Sequence, residues 1–184
     1  MCGITGFIDP RATTNDPEKV LGRMARALAH RGPDGEGTFA GEGAYLGHRR
    51  LSVIDLEGGH QPLTSEDGSV VVAFSGRIYN FQDLKEDLRA RGHTFRTHSD
   101  GEAIVHLYEE HGRNLLSHLR GMFALAVFDR RTRTLLLARD RMGKKPLYYY
   151  VCGDTLVFGS ELCALMHHPR VPRDIDLVSL RKYL

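Results

Sequence analysis

The sequence is poor in cysteine and has no run of like charge. Its three cysteines, Cys2, Cys152 and Cys163, form neither a metal-binding spacing nor an even-numbered disulfide framework, which fits a reducing compartment. We therefore expect no disulfide, no zinc site and a cytoplasmic location. With 25 basic and 23 acidic side chains the formal charge is +2, and no cluster of Lys or Arg indicates a nucleic-acid groove or a membrane surface.

Long apolar runs are absent as well. No segment reaches the roughly 18 apolar residues of a membrane span, and residues 1–15 lack the charged start and apolar core of a signal peptide. The 184 residues suffice for one domain with a sizeable core. Cys152 and Cys163 lie in apolar runs, where we expect buried and unreactive thiols.

Hydrophobic periodicity predicts an α+β fold. The predicted helices are residues 17–30, 81–91, 102–111 and 161–167. The predicted strands are residues 3–8, 44–48, 51–55, 69–75, 123–129, 134–139, 146–151 and 155–159. Strands, then helices, then strands indicate layers of helix packed against mostly antiparallel sheet.

The start of the chain offers a nucleophile. If an aminopeptidase removes Met1, Cys2 carries both a thiol and a free α-amine, so one residue supplies nucleophile and base. The alternative is that Cys2 is a small residue at a frayed terminus. The residues that follow, Gly3 to Ile8, suit a strand, and a terminus tied into a sheet does not fray.

Nine segments in order carry a family resemblance. They are MCGITGFID (1–9), AHRGPDGEG (29–37), LGHRRLSVIDL (46–56), HQPL (60–63), IYNFQDLK (78–85), SDGEAIVHLYEEHG (99–112), GMFALAVFD (121–129), LARDRMGKKPLYYY (137–150) and FGSELCALMHHP (158–169). The chain resembles the N-terminal class II glutamine amidotransferase domain of glutamine-hydrolysing asparagine synthetase. The resemblance implies a four-layer αββα N-terminal-nucleophile hydrolase sandwich, with two antiparallel sheets between helical layers, that cleaves glutamine and hands ammonia to a second domain.

The resemblance also implies roles for individual residues. Cys2 is the nucleophile that forms a glutamyl thioester, Arg50 holds the α-carboxylate of glutamine, and Asp100 holds its α-ammonium. A planar guanidinium suits this task because it binds a carboxylate through two parallel hydrogen bonds. Without the family, Arg50 and Arg49 would be read as a solvated basic edge, and Asp100 as the N-cap of the helix at 102–111.

The chain departs from the family at residues 74–80, which read FSGRIYN where the family has FNGEIYN. The family asparagine and glycine form the oxyanion hole, and the glutamate helps to hold the ammonium. Gly76 keeps its backbone donor, whereas Ser75 offers a shorter donor and Arg77 places a cation where an anion is expected. Losing one oxyanion donor reduces the rate on the order of 10²–10³-fold. We therefore expect a weakened or altered glutaminase.

Three functional hypotheses follow. The first is a glutaminase domain that supplies ammonia for the ATP-dependent amidation of aspartate or another carboxylate. The second is a glutaminase-impaired structural or docking domain of an ammonia-using synthetase, favoured by Ser75 and Arg77. The third is a hydrolase of another amide, whose additional acid group would meet Arg77.

The expected partners follow from the same resemblance. They are glutamine and a C-terminal synthetase domain of the same polypeptide, and a homodimer is left open. We expect no cofactor or metal in this domain, and ATP and magnesium only in the synthetase domain, because residues 1–184 contain no SGGxDS loop. Leu177, Leu180 and Leu184 form an uncapped stripe, so we expect an amidotransferase domain at 1–165 and a linker and the start of the next domain at 166–184. The alternative is a helix that docks on its own domain or frays.

Overall fold

The computed structural model describes residues 1–52 and 59–184. Within these ranges the chain forms nine strands, five α-helices and one 3₁₀ turn at Gly112–Ser117. The strands are β1 (Gly3–Ile8), β2 (Gly35–Gly41), β3 (Ala44–Arg50), β4 (Leu63–Thr64), β5 (Val70–Ile78), β6 (Gly121–Asp129), β7 (Thr134–Arg139), β8 (Tyr148–Cys152) and β9 (Thr155–Gly159). The α-helices are α1 (Pro17–Arg26), α2 (Phe81–Ala90), α3 (Glu102–His111), α4 (Leu162–Leu165) and α5 (Leu177–Tyr183).

The strands form two antiparallel sheets. The order is β2-β3-β1-β9-β8 in the five-stranded sheet and β4-β5-β6-β7 in the four-stranded sheet. Helices α1 and α4 pack on the outer face of the first sheet, and α2 and α3 pack on the outer face of the second. The inner faces of the two sheets meet in a buried apolar layer. This arrangement confirms the predicted α+β sandwich of four αββα layers.

The period of two along β6 explains why this strand lies between two cores. Leu125 and Val127 contact the helical layer, whereas Ala124, Ala126 and Phe128 face the other sheet. The alanines are small, so the two sheets approach closely there. Alternate side chains of β6 thus pack into two different cores, one beneath α2 and α3 and one between the two sheets.

Several elements differ from their predictions. Helix α1 ends at Arg26, and residues 27–31 form turns rather than the predicted last turn of helix. Strand β2 was not predicted, because its sequence GEGTFAG contains three glycines and no alternation of apolar and polar residues. Of the predicted strand at 51–55, Leu51 and Ser52 are not in a strand, and residues 53–55 lie outside the described residues.

The chain stays packed on the domain beyond residue 165. His168 is 1% exposed and its ring packs edge-on against Phe7 at a centroid distance of 4.7 Å. The Arg170 guanidinium donates to the Thr155 hydroxyl at 2.9 Å. In contrast, α5 buries none of its side chains against the residues that the structure describes. Among the helices in the described ranges, none has the length and apolar content needed to cross a membrane.

The buried His168 predicts a loss of stability on acidification. Burial lowers the pKa of His168 from 6.5 to about 4, so between about pH 4 and pH 6.5 the unfolded chain binds a proton that the folded chain does not. The unfolding free energy should therefore fall by about 1 kcal/mol between pH 7 and pH 5.5 through this residue. Denaturant titrations should show that His168→Gln reduces this pH dependence, whereas the same change at the exposed His167 leaves it intact. Equal pH dependence in all three proteins would contradict the assignment.

Candidate active site

One cavity of about 400 Å³ contains the six residues singled out in the sequence. Its lining includes Cys2 before β1, Arg50 at the end of β3, Asp100 before α3, and three consecutive residues of β5, Ser75, Gly76 and Arg77. These positions are far apart in sequence. The two sheets bring them together where β1 begins and where β3 and β5 end.

Cys2 is held in place by its main chain and its thiol. Its carbonyl oxygen accepts hydrogen bonds from Arg31 Nε at 3.1 Å and from Ser75 Oγ at 2.8 Å. Its Sγ accepts from the Leu51 N–H at 3.4 Å and lies 3.6 Å from the Leu51 carbonyl oxygen, to which the thiol donates. The alternative of a frayed terminus is therefore wrong, because Cys2 is anchored to three other segments.

Met1 precedes Cys2 and occupies one side of the cavity. Its α-amine donates to the Arg31 carbonyl oxygen at 2.9 Å, and its thioether Sδ lies 3.0 Å from Lys145 Nζ. Its residue surface is 57% exposed. While Met1 is attached, the nitrogen of Cys2 belongs to a peptide bond and cannot act as a base.

Arg50 is buried, which contradicts the reading of a solvated basic edge. Its neighbour Arg49 has a separate role outside the cavity lining. The Arg49 guanidinium pairs with Glu36 at 2.6 Å and donates to the Gly32 carbonyl oxygen at 2.9 Å. The two adjacent arginines therefore face different surroundings, and it is Arg50 that reaches the cavity.

Asp100 lines the cavity and is not the N-cap residue of α3. Its Oδ2 accepts a hydrogen bond from the Ile78 N–H at 2.8 Å. The N-cap position of α3 is Gly101, whose N–H donates to Ser99 Oγ at 3.2 Å. Burial raises the pKa of Asp100, and the Ile78 hydrogen bond and the charge of Arg77 act in the opposite direction.

The two possible oxyanion donors differ in availability. The Ser75 hydroxyl has one proton, and it donates that proton to the Cys2 carbonyl oxygen. It can serve an oxyanion only by breaking this hydrogen bond. Residue 76 must be glycine for steric reasons, since a Cβ there would lie 2.1 Å from the Met122 carbonyl oxygen. The backbone of β5 thus runs close to β6 beside the cavity.

Arg77 is half-buried and lines the same cavity. Its positive charge acts to lower the pKa of the Asp100 carboxyl, against the larger raising effect of burial. An ammonium group that approaches Asp100 is therefore also subject to the positive charge of Arg77 in the same cavity. The departure identified in the sequence thus lies in the cavity that also contains Asp100.

Two further cavity residues were not singled out in the sequence. His48 is 1% exposed, and burial together with the charges of Arg50 and Arg49 lowers its pKa to about 4, so its imidazole is neutral at pH 7. Lys145 is buried and adds a cation beside Met1. The sequence feature that could have identified His48 is its position on β3, opposite Ile4 of β1. Side chains that face inward alternate along a strand with side chains that face outward.

The other two cysteines are more accessible than predicted. Cys163 is exposed and Cys152 is half-buried, so the expectation of two buried thiols is wrong. The apolar run around Cys163 became the four-residue helix α4, which buries only Ala164 and Leu165. Partial burial and the Glu161 carboxylate, whose oxygen lies 3.6 Å from Sγ, raise the pKa of the Cys163 thiol. Less of it is therefore thiolate at neutral pH.

The sequence model of the glutamine amidotransferase domain family matches residues 1–184. The chain belongs to this family. It is 39% identical over 182 residues to asparagine synthetase [glutamine-hydrolyzing] 3 of Bacillus subtilis, covering 98% of this chain and 30% of the relative. It is 42% identical over 166 residues to asparagine synthetase [glutamine-hydrolyzing] 2 of Arabidopsis thaliana, covering 90% and 28%. The predicted resemblance to these synthetases is confirmed, and the chain spans less than a third of their length.

Solved structures support the same family. The amidotransferase domain aligns with glutamine phosphoribosylpyrophosphate amidotransferase from B. subtilis, complexed with ADP and GMP, at a TM-score of 0.74 and 26% identity. The alignment covers 90% of this chain and 43% of that chain. The N-terminal-nucleophile amidotransferase sandwich is thereby confirmed as the fold.

Proposed function

We propose that the domain hydrolyses glutamine to glutamate and ammonia, with Cys2 as the nucleophile after Met1 is removed. The observation that carries the proposal is the cavity, in which a thiol, a buried guanidinium and a buried carboxylate lie together. The family membership and the similarity to glutamine-hydrolysing asparagine synthetases support glutamine as the substrate.

The proposed binding mode uses the charges of the cavity. Arg50 binds the α-carboxylate of glutamine through its planar guanidinium, and Asp100 binds the α-ammonium. These contacts place the side-chain carboxamide of glutamine against Cys2. Positioning of this kind accelerates the attack because it makes the reaction effectively unimolecular.

The proposed chemistry proceeds through a thioester. The α-amine of Cys2 accepts the thiol proton while Sγ attacks the carboxamide carbon, and the carbonyl oxygen becomes an oxyanion beside Gly76 and Ser75. The tetrahedral intermediate then collapses: the C–N bond breaks, and the amine returns the proton to the leaving nitrogen, which departs as ammonia. Water attacks the glutamyl thioester, the C–S bond breaks, and glutamate and the thiol are restored.

The acceptor of the ammonia would be bound by another domain of the polypeptide. A C-terminal synthetase domain would use ATP and magnesium to activate aspartate or another carboxylate, and ammonia would then amidate it. The short span of this chain relative to its relatives supports a further domain. We assign the reaction to the cytoplasm, where three free cysteines stay reduced.

The Arg50→Lys variant tests the proposed substrate binding. The KM for glutamine should rise about 10–100-fold, because an ammonium cannot reproduce two hydrogen bonds to a carboxylate. Ammonia release measured over a range of glutamine concentrations gives KM and kcat separately. Arg49→Lys is the matched control, since Arg49 pairs with Glu36 instead and should leave KM unchanged. An unaltered KM in folded Arg50→Lys protein would remove Arg50 from the substrate site.

A second candidate function is a glutaminase-impaired docking domain of a synthetase that uses free ammonia. The hydrogen bond from Ser75 to the Cys2 carbonyl and the positive charge of Arg77, which acts on Asp100, favour it. The two candidates differ in nitrogen source. The second candidate predicts two results for the full-length enzyme. With ammonia, the Cys2→Ala variant amidates the acceptor as well as the unsubstituted protein does. With glutamine as the only nitrogen source, the unsubstituted protein does not amidate it.

A further inference from the structure

A second cluster of polar side chains lies on helix α3 and the segment before it. One ligand atom from each of His93, His106 and Glu109 lies within 4.8 Å of the other two. Glu109 Oε2 is 2.9 Å from His106 Nδ1 and 3.5 Å from His93 Nδ1. These three residues are absent from the lining of the Cys2 cavity, as far as the described ranges define it. We propose that this cluster is a zinc site.

The orientation of His93 leaves a nitrogen available to a cation. His93 Nε2 lies 3.0 Å from Glu110 Oε1, and a carboxylate can only accept, so Nε2 carries a proton. In the neutral ring the lone pair is then on Nδ1, which faces Glu109 Oε2. In that tautomer Nδ1 and the Glu109 oxygen are both electron-pair donors 3.5 Å apart, so one cation could bind both. A carboxylate that fixes the outer nitrogen is also the usual support for a metal-binding histidine.

His106 provides an independent observation. It is only 3% exposed, and its Nε2 has no hydrogen-bond partner among the described residues. If Nδ1 donates its proton to Glu109, the buried Nε2 keeps an unsatisfied lone pair. If Nδ1 binds zinc instead, the proton resides on Nε2, which faces Glu102 Oε1 at 4.0 Å. Zinc binding at Nδ1 therefore leaves the ring proton on Nε2, the nitrogen that faces the Glu102 carboxylate.

Glu102 is fixed in position to play this supporting role. Its carboxylate accepts hydrogen bonds from the Arg96 N–H at 2.7 Å and the Thr97 N–H at 2.8 Å. The Thr97 hydroxyl donates to it at 2.6 Å. These contacts hold the segment between α2 and α3 against the start of α3. A carboxylate therefore lies on the outer side of each histidine, within hydrogen-bond distance of His93 Nε2 at 3.0 Å and beyond it for His106 Nε2 at 4.0 Å.

The ligand set and its spacing indicate zinc. Two imidazoles and a carboxylate are ligands that Zn²⁺ prefers, with a fourth position left for water. At metal–ligand distances of about 2.0–2.1 Å, neighbouring ligand atoms of a tetrahedral site lie about 3.3 Å apart. The two separations from Glu109 Oε2, 2.9 and 3.5 Å, lie on either side of that value, and the remaining separation, between the two histidine atoms, is within 4.8 Å. The expectation of no zinc considered the cysteines, and this cluster contains none of them.

Zinc binding is tested on the full-length protein after chelation and dialysis, with Zn²⁺ alone as the titrant in calorimetry at pH 7.5. We expect one site with a Kd of about 1 μM or lower, and a rise in melting temperature of several degrees at 100 μM Zn²⁺. His93→Asn and Glu109→Gln should each weaken binding at least about 10-fold. His111→Asn, on the same helix but stacked on His118, should bind like the unsubstituted protein.

Two controls make the result decisive. Glu109 is on the surface, so Glu109→Gln protein should keep its circular dichroism spectrum and report on binding rather than folding. The thiol of Cys2 is another group to which added Zn²⁺ could bind. Zinc bound at the histidine cluster should remain bound in Cys2→Ala, which lacks that thiol. The proposal is overturned if no saturable binding occurs, if His93→Asn binds as tightly as before, or if Cys2→Ala abolishes binding. The contacts of His93 with Glu109 and Glu110 would then be ordinary polar contacts of the surface.

Discussion

Cys2→Ala should reduce glutamine-dependent ammonia release at least about 10³-fold, because removal of a nucleophile eliminates the covalent route. The alanine variant should keep its fold, since Ala preserves the main-chain carbonyl that accepts from Arg31 and Ser75. The measurement is coupled glutamate and ammonia detection at saturating glutamine.

Cys163→Ala is the matched control for that result. Cys163 is the exposed thiol of the chain's three cysteines, but its pKa is raised and it lies outside the described lining of the cavity. Its loss should leave the rate unchanged. Ammonia release that survives in Cys2→Ala but disappears in Cys163→Ala would contradict the proposed nucleophile.

The second large effect is expected from reversing the departure at β5. Ser75→Asn should raise kcat about 10²-fold, because the longer amide reaches toward an oxyanion while the Ser75 hydroxyl is committed to the Cys2 carbonyl. Arg77→Glu should lower KM at least about tenfold, since an anion then attracts the substrate ammonium beside Asp100. Steady-state kinetics on both single variants and the double variant separate the two effects.

The charge of Arg77 has its own control. Arg77→Gln removes the cation without adding an anion, and its KM should fall between those of the original protein and Arg77→Glu. Residues 75 and 77 line the same cavity, so the effects of Ser75→Asn and Arg77→Glu need not add. If the double variant is folded, has lost Met1 and still releases no more ammonia than Cys2→Ala, the docking-domain candidate is the better account.

Much of the fold followed from periodicity, because apolar side chains in α3 and β6 recur at the spacing of the buried face. Strand β2 carries no such pattern, and it is held by pairing with β3 along its whole length. Its formation depends on a neighbour rather than on its own composition. Local sequence therefore could not reveal it.

The candidate site was predictable in its membership but not in its contacts. Family resemblance named Cys2, Arg50 and Asp100, and the cavity contains them. The commitment of Ser75 to the Cys2 carbonyl arises only when β1 and β5 lie in facing sheets. Likewise, His93 and His106 are 13 positions apart and meet only because the segment after α2 folds back onto α3.

The most direct test of the central claim is covalent labelling with an electrophilic glutamine analogue. The full-length protein is incubated with the analogue, digested, and mapped by mass spectrometry, with excess glutamine as the competitor. The account predicts one adduct, on a peptide that begins at Cys2 and lacks Met1, and its formation should be slowed by glutamine. An adduct located mainly on Cys152 or Cys163, or on a peptide that still carries Met1, would contradict it.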